Sequence, residues 1–279
     1  MDPQSRGTAA APLAVLSTGT IVLKPGENPD VAEFVKDRKA VKFMSKQDQL
    51  GLIAAARCAR ASGLTNEELN EAAIYASVGI LPFEQETIDV LASKSTAGGR
   101  FDMTSFSTDA FLSLNPLLTF KCLPNMPVFH ISWNLGIRGS HFITYPGAGQ
   151  WARALERAAI DLRAGRVKHA LVGGIGDQNN FLTRNYFERV GQGAELQDAA
   201  SFWMLTLDAE NPVARVRDIS VTYKNFDVFA PRRPSRWQGP FDLPLEVENR
   251  RAGGARGNID IEWSCNDGLA GRLAVEILS

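Results

Sequence analysis

The chain has 279 residues, 44% of them apolar and 22% charged, with a formal net charge of −1. That size and composition suit a globular protein with a sizeable core, and the near-zero charge gives no pull toward nucleic acid or an anionic membrane. No apolar stretch approaches the roughly 20 residues that span a bilayer, and the acidic, weakly apolar N-terminus does not read as a signal peptide.

Residues 11–23, rich in Val, Ile, Leu and Thr, read as a buried strand that turns at Lys24-Pro25-Gly26. Ser45 with Asp48 three residues later predicts a capped helix start. Leu50, Ile53, Ala54 and Cys58 then recur at helical spacing up to Gly63. Arg57 and Arg60 narrow its apolar face. Thr65 with Glu68 is a second start signal, followed by a strand over 74–80 and a short helix over 85–93. Residues 94–127 are weakly patterned. Within them Phe111-Leu112-Ser113-Leu114 and Leu117-Leu118-Thr119-Phe120 are too apolar for a solvated loop and belong against a core or a partner.

The pattern predicts strands over 128–133 and 142–145, a tight turn at Pro146-Gly147-Ala148-Gly149, and an amphipathic helix over 151–164 that stops at Gly165. Further strands are expected at 169–173, 201–207, 214–223 and 273–278. Gly173-Gly174-Ile175-Gly176 follows a strand but fits neither a dinucleotide fingerprint nor a P-loop. Residues 229–258, punctuated by Pro and Gly and carrying Arg232, Arg233 and Arg236, read as a surface excursion. The resulting division is 1–228 as the main unit, 229–258 as the excursion, and 259–279 as a closing strand. Alternating strands and helices predict an α/β fold, a mixed sheet covered by helices.

The three cysteines, Cys58, Cys122 and Cys265, are scattered without CxxC spacing, and no histidine follows His169. Neither a disulfide framework nor a metal site is expected, no cofactor is implied, and the cysteine usage fits a reducing cytoplasm. All three thiols read as packing groups. His130, His141 and His169 read as structural.

Three segments carry a family resemblance. Arg38-Lys39-Ala40-Val41-Lys42-Phe43-Met44-Ser45 resembles the R-x-x-x-K-F-M-S opening of the first long helix in β-ketoacyl synthases. Asn115-Pro116-Leu117-Leu118, Leu123-Pro124-Asn125-Met126-Pro127 and Gly136-Ile137-Arg138-Gly139 together resemble that family's dimer-interface segment and G-x-R-G-P turn. Gly165 with Ala170-Leu171-Val172-Gly173-Gly174 resembles the strand after its nucleophile helix. The resemblance implies a thiolase-like fold, with the C-terminal half strongly shortened.

By the same resemblance, the family's nucleophilic cysteine falls on Ala148, flanked by Tyr145, Pro146, Gly147 and Gly149. The histidines of the family's C-terminal half have no counterpart after His169. Alanine cannot be acylated, so no catalytic residue is assigned. Cysteine-less ketosynthase partners act as chain-length factors of type II polyketide systems. The resemblance therefore implies a heterodimer with an active ketosynthase, in which Leu117, Phe120, Leu123, Met126 and Phe129 line an acyl tunnel. Chain-length factors often carry Gln at the cysteine position, where this chain has Ala148. Arg232, Arg233 and Arg236 offer contacts to an acidic acyl carrier protein. Two rival readings stand beside this one. The first is a stand-alone enzyme (acyl hydrolase, transferase or decarboxylase) using Ser140, His141 or Tyr145, and the second is a homodimeric scaffold that binds carrier proteins.

Overall fold

The structure, a computed structural model, describes residues 11–81, 83–189, 196–223, 235–265 and 268–279. In chain order the strands are β1 (Leu13–Leu23), β2 (Ala73–Val78), β3 (Thr96–Ala97), β4 (Arg100–Phe101), β5 (His141–Thr144), β6 (Ala170–Gly176), β7 (Asp198–Thr206), β8 (Ala214–Tyr223), β9 (Gly257–Ser264) and β10 (Leu269–Ile277). The α-helices are α1 (Lys46–Ala61), α2 (Asn66–Glu71), α3 (Gln85–Lys94), α4 (Met103–Ser105), α5 (Leu118–Lys121), α6 (Met126–Leu135), α7 (Ala148–Arg163), α8 (Phe181–Arg189) and α9 (Asp242–Ala252).

Eight strands form one sheet in the order β5-β2-β6-β7-β1-β8-β10-β9, and β3 and β4 make a small hairpin apart from it. β2 runs parallel to both β5 and β6, and the remaining neighbours are antiparallel. β2 and β6 are buried along their whole length, as expected of parallel strands covered on both faces. Alternate side chains divide between two cores. Tyr75, Val172, Trp203 and Leu205 point to α7, while Ile74, Leu171, Phe202 and Met204 pack with Leu50, Ala54 and Cys58 of α1 and with Val128 and Ile131 of α6.

α7 packs one face into the molecule and leaves Arg153, Arg157, Ile160 and Arg163 exposed on the other. Trp151, Leu155, Ala158 and Leu162 share one cluster with Tyr75 and Val172 from one end of the sheet and with Ile261, Trp263, Leu273 and Val275 from the other. The sheet therefore curls round this helix. Trp151 meets Trp203 edge to face, with ring centroids 5.1 Å apart. Asp161 of α7 is held by the Tyr75 hydroxyl at 2.9 Å, Arg157 at 2.8 Å and Arg166 at 2.6 Å. The outer face of β8, β10 and β9 is polar and carries the ion pairs Arg217–Glu276 and Arg272–Asp260, each at 2.7 Å.

Both capping boxes exist as expected. Ser45 accepts from the Asp48 N–H while Asp48 accepts from the Ser45 N–H, and Thr65 and Glu68 repeat the pattern at α2. Two expectations need correction. Residues 128–133, expected as a strand, lie within α6, which opens on Pro127 and closes on Gly136 in the left-handed region at φ 76°. Val128, Ile131 and Asn134 recur there at helical spacing and are buried. The excursion expected over 229–258 contains α9, with Trp237, Phe241, Leu243, Leu245 and Val247 buried, and β9 follows it. Arg232 and Arg233 lie outside the described residues.

The glycine-rich end of β6 serves packing. A Cβ on Gly173 would collide with the Phe202 ring, and one on Gly174 would collide with the Pro240 carbonyl. Among the described residues, no helix is long and apolar enough to cross a membrane.

Candidate functional site

The parallel strands β2, β5 and β6 end on the same side of the sheet, and a cavity of about 530 Å³ opens there. This is where open α/β sheets commonly place a ligand, and the volume suits a small molecule. Gly79 and Ile80 follow β2, and Tyr145, Pro146 and Gly147 follow β5. Gln178 follows β6, and α8 adds Leu182, Tyr186 and Phe187. Trp237, Gln238 and Pro240, before α9, and Cys265, after β9, complete the wall.

The turn into α7 requires its glycine. Gly147 has φ 107°, a region open to residues without a Cβ, and it lets the chain reverse from strand into helix. Ala148 is the first helical residue. It borders the cavity but is itself fully buried, in the cluster that surrounds α7. Gly149 is equally constrained, since a Cβ there would lie 2.7 Å from Leu269 Cβ. The 16-residue α7 has no side-chain cap at its N-terminus, so the positive end of its dipole is directed at the cavity wall.

Tyr145, expected beside the turn, does border the cavity, and its hydroxyl accepts from the Leu81 N–H at 3.3 Å. Ser140 and His141 are exposed and do not border it. Of the expected tunnel residues, Phe120, Leu123 and Phe129 are exposed, Leu117 is half-buried and Met126 is buried. None of these five borders the cavity. His130 of α6 is buried, and burial pushes its imidazole down to about 4.

Beneath Gln178 lies a buried acidic pair. Asp198 accepts from Lys46 Nζ at 2.6 Å and from the Asn179 N–H at 2.7 Å. Burial and then the charge of Asp198 push the neighbouring Asp177 up to about 7. The Asp177 N–H donates to Gln47 Oε1 at 3.3 Å. These bonds fix the turn after β6 to α1, and so fix the direction of Gln178. Among the described residues, no His, Cys, Asp and Glu side chains gather as metal ligands would.

Gln178, Trp237 and the α8 residues were not singled out from sequence, and Cys265, read from sequence as a packing group, packs against the core around α7 but also borders the cavity. Gln178 carried a usable signal, since it is the second residue after a buried parallel strand. Trp237 and Cys265 reach the cavity only through the tertiary fold. Arg236 stacks on Trp237, its guanidinium carbon 4.2 Å from the ring centroid, beside a more open and polar depression that includes Glu262 and Arg272.

A mixed sheet curled against one face of a helix whose N-terminus meets a cavity at the ends of parallel strands defines a thiolase-like fold. The chain belongs to the β-ketoacyl synthase family: the model of the beta-ketoacyl synthase N-terminal domain matches residues 9–202. Solved structures agree on the fold. A chain of AntDE:AntF, a type II PKS acyl-carrier protein in complex with its ketosynthase bound to the hexaketide, superposes with a TM-score of 0.71 at 12% identity, covering 96% of this chain and 99% of that one. The ishigamide ketosynthase/chain length factor gives a TM-score of 0.66 at 12% identity, covering 96% of this chain and 100% of that one. The ketosynthase from module 1 of the bacillaene synthase from Bacillus amyloliquefaciens FZB42 gives 0.53 at 18% identity, over 80% of this chain and 48% of that one. At these identities the likeness is one of fold. No curated protein matches the chain.

Proposed function

We propose that this protein is a chain-length-factor-type subunit. It pairs with an active ketosynthase, carries no acyl group itself, and shapes the tunnel in which its partner extends a chain delivered by an acyl carrier protein. The observation that carries this reading is the apolar surface of α6 and the segment before it. Phe129 is 51% and Trp133 59% exposed, and Phe111, Leu112, Phe120 and Leu123 are exposed as well. Side chains of that size left in water favour burial against another protein.

Two further observations support the reading. The family's nucleophile position falls on Ala148, whose methyl group cannot form a thioester. The AntDE:AntF and ishigamide structures bring together ketosynthase with acyl-carrier protein and ketosynthase with chain length factor, the assemblies proposed here. In this reading Phe120, Leu123 and Phe129 face the partner, with Leu117 and Met126 behind them. Arg236, together with Arg232 and Arg233, meets the carrier protein's acidic surface.

Co-expression with the ketosynthase of a neighbouring gene, followed by size-exclusion chromatography, tests the pairing. Co-elution is expected, and Trp133→Lys is expected to separate the two proteins while leaving each folded. Persistent separation of the unmodified pair would sink the reading. Elution of this chain as its own dimer would favour the homodimeric scaffold. A stand-alone enzyme is less favoured, because of Ser140, His141 and Tyr145 only Tyr145 borders the cavity.

A further inference from the structure

The turn that follows β6 hangs on two buried carboxyls and one cation. Asp177 is 8% and Asp198 2% exposed, and Lys46, the first residue of α1, donates to Asp198 at 2.6 Å. Asp198 also accepts from the Asn179 N–H at 2.7 Å. That cation and that N–H hold Asp198 as the carboxylate, so a second charge on Asp177 would be buried against a like one. Asp177 therefore keeps its proton and donates it to Asp198. Burial first, then the charge of Asp198, raises its carboxyl, and Lys46 offsets them only in part. The other charged groups on the elements packed here are engaged elsewhere: Asp48 of α1 with the Ser45 N–H, Arg184 of α8 with the Asn179 side chain, and Asp242 of α9 with the Gln238 and Gly239 N–H groups. Glu195 lies outside the described residues.

The same turn starts α8. Asn180 accepts from the Thr183 N–H at 3.0 Å and donates to the Asp177 carbonyl, so it caps the helix and ties it to the acid pair. Of the nine residues of α8, Thr183 and Phe187 are the buried ones. A helix that short is marginal in water, and one with so little buried surface belongs to the part of a fold that opens first. We propose that the proton shared by Asp177 and Asp198 latches α8 onto the sheet, and that its loss as the pH rises lets α8 open locally. Leu182, Tyr186 and Phe187 of α8 form one wall of the cavity, so the latch sets how open that wall stands. The sign follows from the protons bound. The closed turn holds one more than the open one, in which Asp177 is solvated and ionised, so opening gains ground between the ordinary carboxylate value and the raised one. The latch works within this chain and does not rest on pairing with a ketosynthase.

Amide hydrogen exchange on the full chain tests the latch, each rate being compared with that of an unstructured peptide at the same pH. Protection of the α8 amides is expected to lie below that of α7, to fall about tenfold from pH 5 to pH 6, and to level off above pH 7. In Asp177→Asn, whose carboxamide can still donate to Asp198 but cannot ionise, it is expected to stay flat over that range. Asp198→Asn frees Lys46 for Asp177, so the fall is expected to be lost there too, and this variant decides the matter where Asp177→Asn disturbs folding. Asp48→Asn, Asp242→Asn and Glu195→Gln are expected to keep the fall. The proposal is overturned if α8 protection in the unmodified protein is flat with pH or equals that of α7. It is equally overturned by a fall that survives in Asp177→Asn, or by one that Asp48→Asn, Asp242→Asn or Glu195→Gln abolishes.

Discussion

Asp48 shows how one residue serves local structure at a cost to the whole. As the third residue of α1 it accepts from the Ser45 N–H at 2.6 Å and completes the capping box, yet it is buried and its Oδ1 has no partner among the described residues. Burial therefore outweighs the Ser45 hydrogen bonds and pushes the carboxyl from 3.8 up to about 7. The sign follows from proton counting. Between the two values the folded protein keeps a proton that the unfolded chain has lost. The contribution of Asp48 is thus complete below the unfolded value and declines as pH rises to about 7. Asparagine can accept the same bond without ever ionising. Asp48→Asn is expected to gain stability relative to the unmodified protein by on the order of 2 kcal/mol between pH 5 and pH 8. Denaturant unfolding at the two pH values checks it, and a variant whose stability tracks the parent at both would remove the assignment. The contributions of Asp177 and Asp242, pushed up in the same direction, are common to both proteins and cancel in the comparison.

Secondary-structure elements show where local signals were sufficient and where they competed. α1 and α7 were legible because the stop glycine, the apolar spacing and, for α1, the cap all agreed. α6 was not, because Val128, Phe129 and Ile131 carry β-propensity that masked Pro127 and the left-handed Gly136. Its length, ten residues with one buried side, is decided by what covers Val128 and Ile131, namely α1. α9 was hidden in a segment rich in Pro and Arg, and its seat is the Gly-rich end of β6. A side chain on Gly174 would strike the Pro240 carbonyl and come within 2.7 Å of the Phe241 N–H at the start of α9. Gly174→Ala is expected to destabilise the protein by about 3 kcal/mol, as overpacking against backbone leaves nothing to yield. Chemical denaturation measures it, and an unchanged midpoint would mean that the α9 entry shifts freely.

At the scale of the molecule, one sheet curled round α7 gives a closed core on one side and an exposed apolar surface about α6 on the other. Under the proposed pairing, Phe120 borders the partner's tunnel, so its size sets the room for a growing chain. In the reconstituted pair with carrier protein, Phe120→Ala is expected to lengthen the product and Phe120→Trp to shorten it, as read by mass spectrometry. Identical product lengths across both variants would remove Phe120 from the tunnel wall while leaving the pairing itself to the elution test.

By itself, the sequence determined the α/β class, most of the strands, both capping boxes and the strand–turn–helix around Ala148. Each of these follows from spacing within a dozen or so residues, where backbone geometry and side-chain periodicity act directly. Only the tertiary structure decided that Gln178, Trp237 and Cys265 share one cavity, that Ser140 and His141 stand away from it, and that Phe129 and Trp133 face outward. Those outcomes depend on which strands become neighbours and on how far the sheet curls. Both are set by the summed packing of residues more than a hundred positions apart, such as Leu13 with Ile277 in the cluster around α7.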